Sequence, residues 1–418
     1  MNREELATEL YRKVRQKQLK DFQDRMPADK QGVEFTQNGI TYVAAIRRLT
    51  PTECCRLQGV PNWYDWGGIS ETQQYKMLGN GWQCDTIRHC FSYLPYFGRD
   101  IRIWSLFDGM SCASIVLKEL GINPKMFVSS EIDKSAIKAE KLNFPDMVQV
   151  GSVTDIDVAE LVEKYGVPDL LVGGSPCQSF SFSGKMKGMA TSQGEEIYTL
   201  DRYLELKQQG FEFEGQSYLF WEYMRILTEL RKYNPNILFF LENVEMLEKW
   251  ERCLSHAIGV RGVHINSALV SAQNRKRIYW SNIKVKDLGN TSLFDFSDDP
   301  FEWPTKMTDI PQPEDRGIVI KDILQDIVGD KYYLKDGTVS QLIEKTDRAK
   351  LKDYLLEPQV SIEEAVEYMN ESPEYSSCSD EEKREIASLG YRLEKKRLRD
   401  NYFGKEKDFY EKSIVSSD

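Results

Sequence analysis

Asp169-Leu170-Leu171-Val172-Gly173-Gly174-Ser175-Pro176-Cys177-Gln178-Ser179-Phe180-Ser181 is the stretch from which the rest of the chain can be read. A short apolar run closed by two glycines and a proline reads as a buried strand, residues 169–173, ending in a tight loop. Similar runs stand on either side, at residues 101–106, 125–130 and 237–242. Between them, residues 114–120, 134–142 and 219–233 carry apolar side chains at helical spacing, and Gly121 is placed to stop the first. Strands alternating with helices predict an α/β fold, a mostly parallel sheet with helices on both faces. Loops at the carboxyl ends of such strands are where open sheets hold ligands. Residues 184–217, rich in Gly, Lys, Glu and Gln, interrupt this rhythm and predict a mobile loop or an insertion.

The chain has 418 residues, 41% hydrophobic and 29% charged, with 15 Pro and 27 Gly. That composition excludes collagenous, low-complexity and wholly disordered classes, and at roughly 150 residues per domain the length predicts two or three domains. The longest purely apolar run, residues 237–241, is far below the ~20 residues of a membrane span. Met1-Asn2-Arg3-Glu4-Glu5 is no secretory signal, so a cytoplasmic protein without a membrane partner is expected. The eight Cys form no CxxC pairs, which predicts reduced thiols and no metal site. A net charge of -11 argues mildly against a nucleic-acid partner, although local patches decide binding.

The N-terminal hundred residues read differently. Leu6, Leu10 and Val14 mark one face of a basic helix, and Thr50-Pro51-Thr52-Glu53 has a cap, a proline at the first helical position and the glutamate of a capping box. Beyond Asn282 the alternation is lost, and a domain boundary is expected within residues 282–289. Residues 357–382 contain no Lys or Arg, whereas residues 392–399 are strongly basic.

Three pieces carry reactive groups. Cys177 follows the strand 169–173, with Pro176 beside it and glycines allowing close approach; an arbitrary Cys is more often a small buried hydrophobe. Glu242 ends the strand 237–242, where a lone Glu is usually a helix cap. Gln273, Arg275 and Arg277 share one face if their segment is extended, an arrangement most often found on a solvated edge.

Together and in this order the Pro-Cys-Gln loop, the Glu-Asn-Val strand end and the Gln-x-Arg-x-Arg segment resemble the DNA (cytosine-5) methyltransferase family. The wording Ser105-Leu106-Phe107-Asp108-Gly109 is nearest to phage, bacterial and de novo animal members. The resemblance implies a Rossmann-like methyltransferase sheet, with Cys177 as nucleophile and Glu242, Arg275 and Arg277 completing the catalytic set. C5 of cytosine is a weak nucleophile, so a thiolate must first add at C6. A carboxyl group near N3 and a guanidinium near O2 then stabilise the charge, the parts implied for Glu242 and Arg277. The base must be flipped out of duplex DNA, with residues 184–217 as the loop closing behind it and Gln178, Ser181 and Gln273 as DNA contacts.

The resemblance also implies S-adenosylmethionine as cofactor, leaving as S-adenosylhomocysteine. Phe107, Gly109, Met110 and Ser111 would meet it where the first strand turns into a helix, with Phe107 on the adenine. Glu131 would take the ribose diol, next to Ile132. Ser152 and Val153 stand where the family usually has Asp against the adenine amino group; Ser accepts that hydrogen bond more weakly. Pro176, Leu219, Asn80, Gly81 and Trp82 would complete the pocket.

Order is the departure from the family. Arg-x-Leu-Thr-Pro, a Leu-Gln-Gly-Phe-Pro-like helix and a Gly-Asn turn normally close such chains. Here Arg47 to Pro51, Arg56-Leu57-Gln58-Gly59-Val60-Pro61 and Leu78-Gly79-Asn80-Gly81-Trp82 come first. Circular permutation is the expectation: residues 1–100 complete a catalytic domain at 101–283, and 284–418 form a target-recognition domain, opening near Lys321-Asp322-Ile323-Leu324, in which residues 392–399 either contact phosphate or form only a charged helix face. A monomer acting on double-stranded DNA is expected, whether or not a cognate restriction enzyme accompanies it. The alternatives are a tRNA cytosine-5 methyltransferase and an inactive DNA-binding regulatory homologue.

Overall fold

The computed structural model describes residues 2–37, 40–95, 100–176, 189–289, 301–345 and 360–393. The chain divides into two units, Leu49–Asp326 and a second made of Met1–Arg48 with Ile327–Asp418.

Unit Leu49–Asp326 is built on a seven-stranded sheet. Its strands are β1 (Ile101–Leu106), β2 (Pro124–Ser130), β3 (Val148–Gln149), β4 (Leu170–Gly173), β5 (Leu238–Val244), β6 (Val263–Asn266) and β7 (Lys276–Ser281). They lie in the order β6-β7-β5-β4-β1-β2-β3. β3, β2, β1, β4 and β5 are parallel, whereas β7 runs antiparallel to β5 and β6 antiparallel to β7. The four expected strands and three expected helices all form, with ends shifted by a residue or two.

Both sheet faces are covered, and the sequence period of two sorts side chains between them. Ile101, Ile103, Leu170, Val172, Phe240 and Tyr279 enter one apolar cluster, completed by Val60, Tyr64, Leu78, Ile87, Cys90 and Phe91 from the N-terminal helices and by the helix Cys112–Glu119. Their neighbours Trp104, Leu106, Leu171, Phe239, Leu241, Ile278 and Trp280 enter the other, under the helices Leu219–Tyr233 and Glu248–Ile258. The segment after Thr50 is therefore core material of this sheet. Its first helix, Pro51–Gln58, has the expected capping box: Glu53 N–H donates to Thr50 Oγ1 at 3.2 Å and Thr50 N–H donates to Glu53 Oε2 at 2.8 Å.

Two sequence expectations are revised. Residues 189–217, read as part of a loop or insertion, hold the helix Leu200–Gln208 and a two-stranded ribbon, Ala190–Thr191 with Phe213–Glu214. Tyr203, Phe213 and Tyr218 stack there, with centroids 4.6 Å apart for Phe213 and Tyr218. The sequence reading joined all of residues 1–100 to a catalytic domain at 101–283 and placed a boundary within 282–289, whereas the chain divides at 48/49 and 326/327. The described part of 284–326 stays with the sheet for local reasons. Thr308 Oγ1 accepts from Ser281 N–H at 3.0 Å, Trp303 is stacked by Arg252 and Arg261, and Arg56 donates to the carbonyls of Ile323 and Leu324.

In the second unit the helix Arg3–Arg25 buries Ala7, Leu10, Tyr11 and Val14 against Val360, Ala365, Met369, Ile386 and Ala387. Tyr11 Oη donates to the Ala387 carbonyl at 3.0 Å, and Lys13 and Lys17 pair with Glu374 and Glu371 of the acidic stretch. Among the described residues, no helix is long and apolar enough to cross a membrane.

Candidate active site

Register brings some of the expected site residues, Phe107, Glu131, Glu242 and Arg277, to one edge. Leu106 pairs with both Ser130 and Gly173, and Gly173 pairs with Leu241, so β1, β2 and β4 end level with Leu241 of β5, which runs on to Val244. Phe107, Glu131, Gly174 and Glu242 are the next residues along those four strands. β7 enters at the same level from the opposite direction, with Arg277 opposite Val244 and Tyr279 opposite Glu242.

The centre is an ion pair, Arg277 Nε to Glu242 Oε1 at 3.0 Å, with Glu242 only 8% exposed. Asn243 ties the β5 end to the neighbouring loop, donating from Nδ2 to Ser175 Oγ at 3.0 Å. Gly174 is bare for a reason: a Cβ there would lie 2.6 Å from Trp82 Nε1 and 3.3 Å from Glu242 Oε2. Trp82, from the N-terminal segment, thus sits directly on the Gly173–Pro176 loop, its ring edge-on to Phe240. Arg275 does not reach Glu242 by a hydrogen bond. It donates to the Gly81 carbonyl at 2.9 Å and the Gly79 carbonyl at 3.4 Å, stapling that turn to the sheet, and burial pushes its pKa down against the opposing pull of Glu242. Among the described residues, Gln273 Oε1 is buried with no hydrogen-bond partner. Cys177, Gln178 and Ser181 lie outside the described residues, which resume at Met189.

A second set lines the β1 and β2 ends. Phe107, Gly109 and Ser111 all have positive φ, 58°, 61° and 64°, a tight strand-to-helix turn carried by two side-chain-bearing residues. Inside it Asp108 accepts from Ser105 Oγ and Ser111 Oγ, and burial pushes its carboxyl up to about 7. Met110 and Ser111, expected to meet the cofactor, are buried and present no exposed surface at this turn. Glu131 accepts from Gly109 N–H on Oε2 and from Ile132 and Asp133 N–H on Oε1, at 2.7–2.8 Å. A carboxylate has about four lone-pair sites, so Oε2 keeps room for one more donor such as a ribose hydroxyl. Ile132 is 68% exposed, and space is open over Gly109, Gly151 and Gly79. Ser152 caps the turn Val153–Asp155, and Val153 is buried. Leu219 opens the helix whose Tyr223 ring touches the Gly173 position, and Asn80 is exposed beside Gly81. These features fit a nucleoside bearing a diol and a flat base.

Sequence reasoning missed the Trp82 contact with Gly174 and the burial of Asp108. The Gly-Gly doublet signalled a close approach, but not by what.

The model for "C-5 cytosine-specific DNA methylase" matches residues 2–94 and 101–208. Among curated relatives, the orphan methyltransferase M.SPRI of Bacillus phage SPR is 28% identical over 298 residues, 62% of this chain and 58% of that protein. Type II methyltransferase M1.ScrFI of Lactococcus lactis subsp. cremoris is 32% identical over 51% of this chain and 46% of its own length. DNA (cytosine-5)-methyltransferase DRM2 of Arabidopsis thaliana is 32% identical over 44% of this chain and 28% of its own length. The matched regions thus span between about a quarter and three fifths of these relatives. With the Glu242–Arg277 edge in place, these matches make the chain similar to C-5 cytosine-specific DNA methylases over residues 2–94 and 101–208.

Proposed function

We propose that the chain transfers a methyl group from S-adenosylmethionine to C5 of a cytosine flipped out of double-stranded DNA, through a covalent adduct of Cys177 at C6. The observation that carries this reading is the Glu242–Arg277 pair, held one strand away from the loop that leads into Cys177. The Cys177 thiolate adds to C6, forming the C–S bond and shifting electrons toward N3 and O2. Glu242 delivers a proton at N3, and Arg277, anchored on the same carboxylate, faces the charge growing at O2. S-adenosylmethionine, when bound, supplies the methyl group that C5 takes. Loss of the C5 proton to a base then expels the thiolate, N3 returns its proton to Glu242, and both Cys177 and Glu242 are regenerated.

On the donor side, Glu131 takes a ribose hydroxyl on its free lone pair, and the exposed Ile132 packs on the nucleoside. Trp82, with the Gly79–Gly81 turn held by Arg275, closes the pocket from the N-terminal segment. That segment standing before the sheet is a circular permutation, a reading supported by the separate family matches on either side of residue 100 and by the packing of residues 60–91 on β1, β4 and β5. Target recognition falls to the C-terminal part of the chain.

DNA carrying 5-fluorocytosine at the target should trap the chain, because fluorine replaces the proton whose loss releases Cys177. The adduct should need S-adenosylmethionine and vanish in Cys177→Ser, whose hydroxyl is hardly ionised near neutral pH. A denaturation-resistant adduct in Cys177→Ser, or a crosslink mapped to another cysteine, would falsify the assignment.

A further inference from the structure

Behind the donor pocket, the helix Leu219–Tyr233 carries a fully buried carboxylate, Glu222. Its Oε1 accepts from Tyr203 Oη and Lys207 Nζ, each at 2.5 Å, and its Oε2 accepts from Arg225 Nε at 2.8 Å. A buried carboxylate is costly unless fully paired, and this one is paired by three donors. The two cations do not stop at Glu222. Arg225 Nη2 donates to the Val153 carbonyl at 3.1 Å, and Lys207 Nζ donates to the Thr154 carbonyl at 3.3 Å. Two successive carbonyls of the turn Val153–Asp155 are thus held by cations that share one anion. Ser152 immediately precedes that turn and caps it, Ser152 Oγ accepting from Thr154 N–H at 3.3 Å. Its hydroxyl is also hydrogen-bonded with Thr154 Oγ1 at 2.7 Å.

We propose that Lys207 and Arg225, fixed by Glu222, are positioning residues for the adenine end of the methyl donor, holding the turn that presents Ser152 and Val153 to the base. This rests on the donor-site reading above. Ser offers the base a short, weakly accepting side chain, so the placement of its backbone matters more than it would for a longer, charged acceptor. Neither cation reaches the ligand; each acts through a backbone carbonyl. Lys207 belongs to the helix Leu200–Gln208, so a segment far from the turn in sequence sets its position.

Calorimetry on the full chain with S-adenosylhomocysteine and with 5′-methylthioadenosine, which keeps only the nucleoside end, tests this. Lys207 is partly exposed, so Lys207→Met can be accommodated in a folded chain. Losing one charge-assisted hydrogen bond should weaken both ligands by about tenfold. Lys207→Arg should restore both, and because Tyr203 and Arg225 still donate to Glu222, the unliganded Lys207→Met chain should melt only a few degrees below wild type. In steady state the KM for S-adenosylmethionine should rise by the same factor, with a much smaller change in kcat. Wild-type affinity for both ligands in Lys207→Met overturns the inference alone, as does a loss of affinity that appears only with a large drop in melting temperature. Failure of the wild-type chain to bind either ligand overturns the donor-site reading and the inference with it.

Discussion

Glu242 and Arg277 depend on each other: the guanidinium orients the carboxylate, and the carboxylate holds the guanidinium over the sheet edge. Glu242→Gln keeps the shape but cannot deliver a proton in the same way. Methyl transfer in single-turnover assays should fall by about 10²-fold or more, while DNA binding is retained. Loss of DNA binding in step with activity would instead give Glu242 a structural part. Asp108 makes a pH prediction. Its folded carboxyl titrates at about 7 because it is buried, against roughly 3.9 for an unfolded aspartate. Below about pH 4 both states hold the proton; between about 4 and 7 only the folded state does, so stability declines as pH rises through that window and levels off above it. Asp108→Asn removes this dependence. The difference in melting temperature between the Asp108→Asn and wild-type chains should shift steadily in favour of the variant from about pH 4.5 to 7. A difference constant with pH would refute the account.

Elements with local causes were legible before the fold was. The apolar runs at Ile101–Leu106 and Leu170–Gly173 became strands because alternate residues face two cores, and Thr50-Pro51-Thr52-Glu53 became a helix start because cap and box are written within four residues. Glu242 and Arg277 could be placed at a strand end for the same reason. What the sequence hid is non-local. Residues 189–217 look like loop because their order comes from Tyr203, Phe213 and Tyr218 stacking together and from Glu222, none of it periodic. The union of residues 1–48 with the C-terminal stretch rests on pairs such as Tyr11 with Ala387, more than 370 positions apart. The helix Pro51–Gln58 shows how a local signal acquires a distant use. Glu53 closes the capping box with Oε2, while its Oε1 accepts from Gln325 N–H at 2.8 Å, and Thr50 Oγ1 also bonds the Gln325 side chain. Thr50→Ala should therefore cost about 1–2 kcal/mol, at the upper end for a cap, read as a fall in the midpoint of chemical denaturation. A cost below about 0.5 kcal/mol would mean that the link to Gln325 adds nothing to the cap.

The order of segments along the chain matters less than which face each one covers. Residues 60–91 seal the side of the sheet formed by Ile101, Ile103, Leu170, Val172 and Phe240. Uncovering that face exposes several large apolar side chains, each worth about 1.5–3 kcal/mol when buried. Their sum rivals the roughly 5–15 kcal/mol that holds a typical domain together. A chain beginning at Asp100 should therefore fail to fold cooperatively and lose S-adenosylhomocysteine binding. Relinking is the informative case. The helix Arg3–Arg25 packs on the segment ending at residue 393, with Arg3 in an ion pair with Glu385 at 3.2 Å. A chain opened before Asp100, with residues 1–99 fused after Asp418, keeps every contact of the sheet face and changes only the connection. It should melt within a few degrees of the natural order and bind S-adenosylhomocysteine within about threefold of it. A relinked chain that folds but does not bind would show that the covalent connection through residues 92–100 shapes the donor pocket, and that the segments are not interchangeable in order.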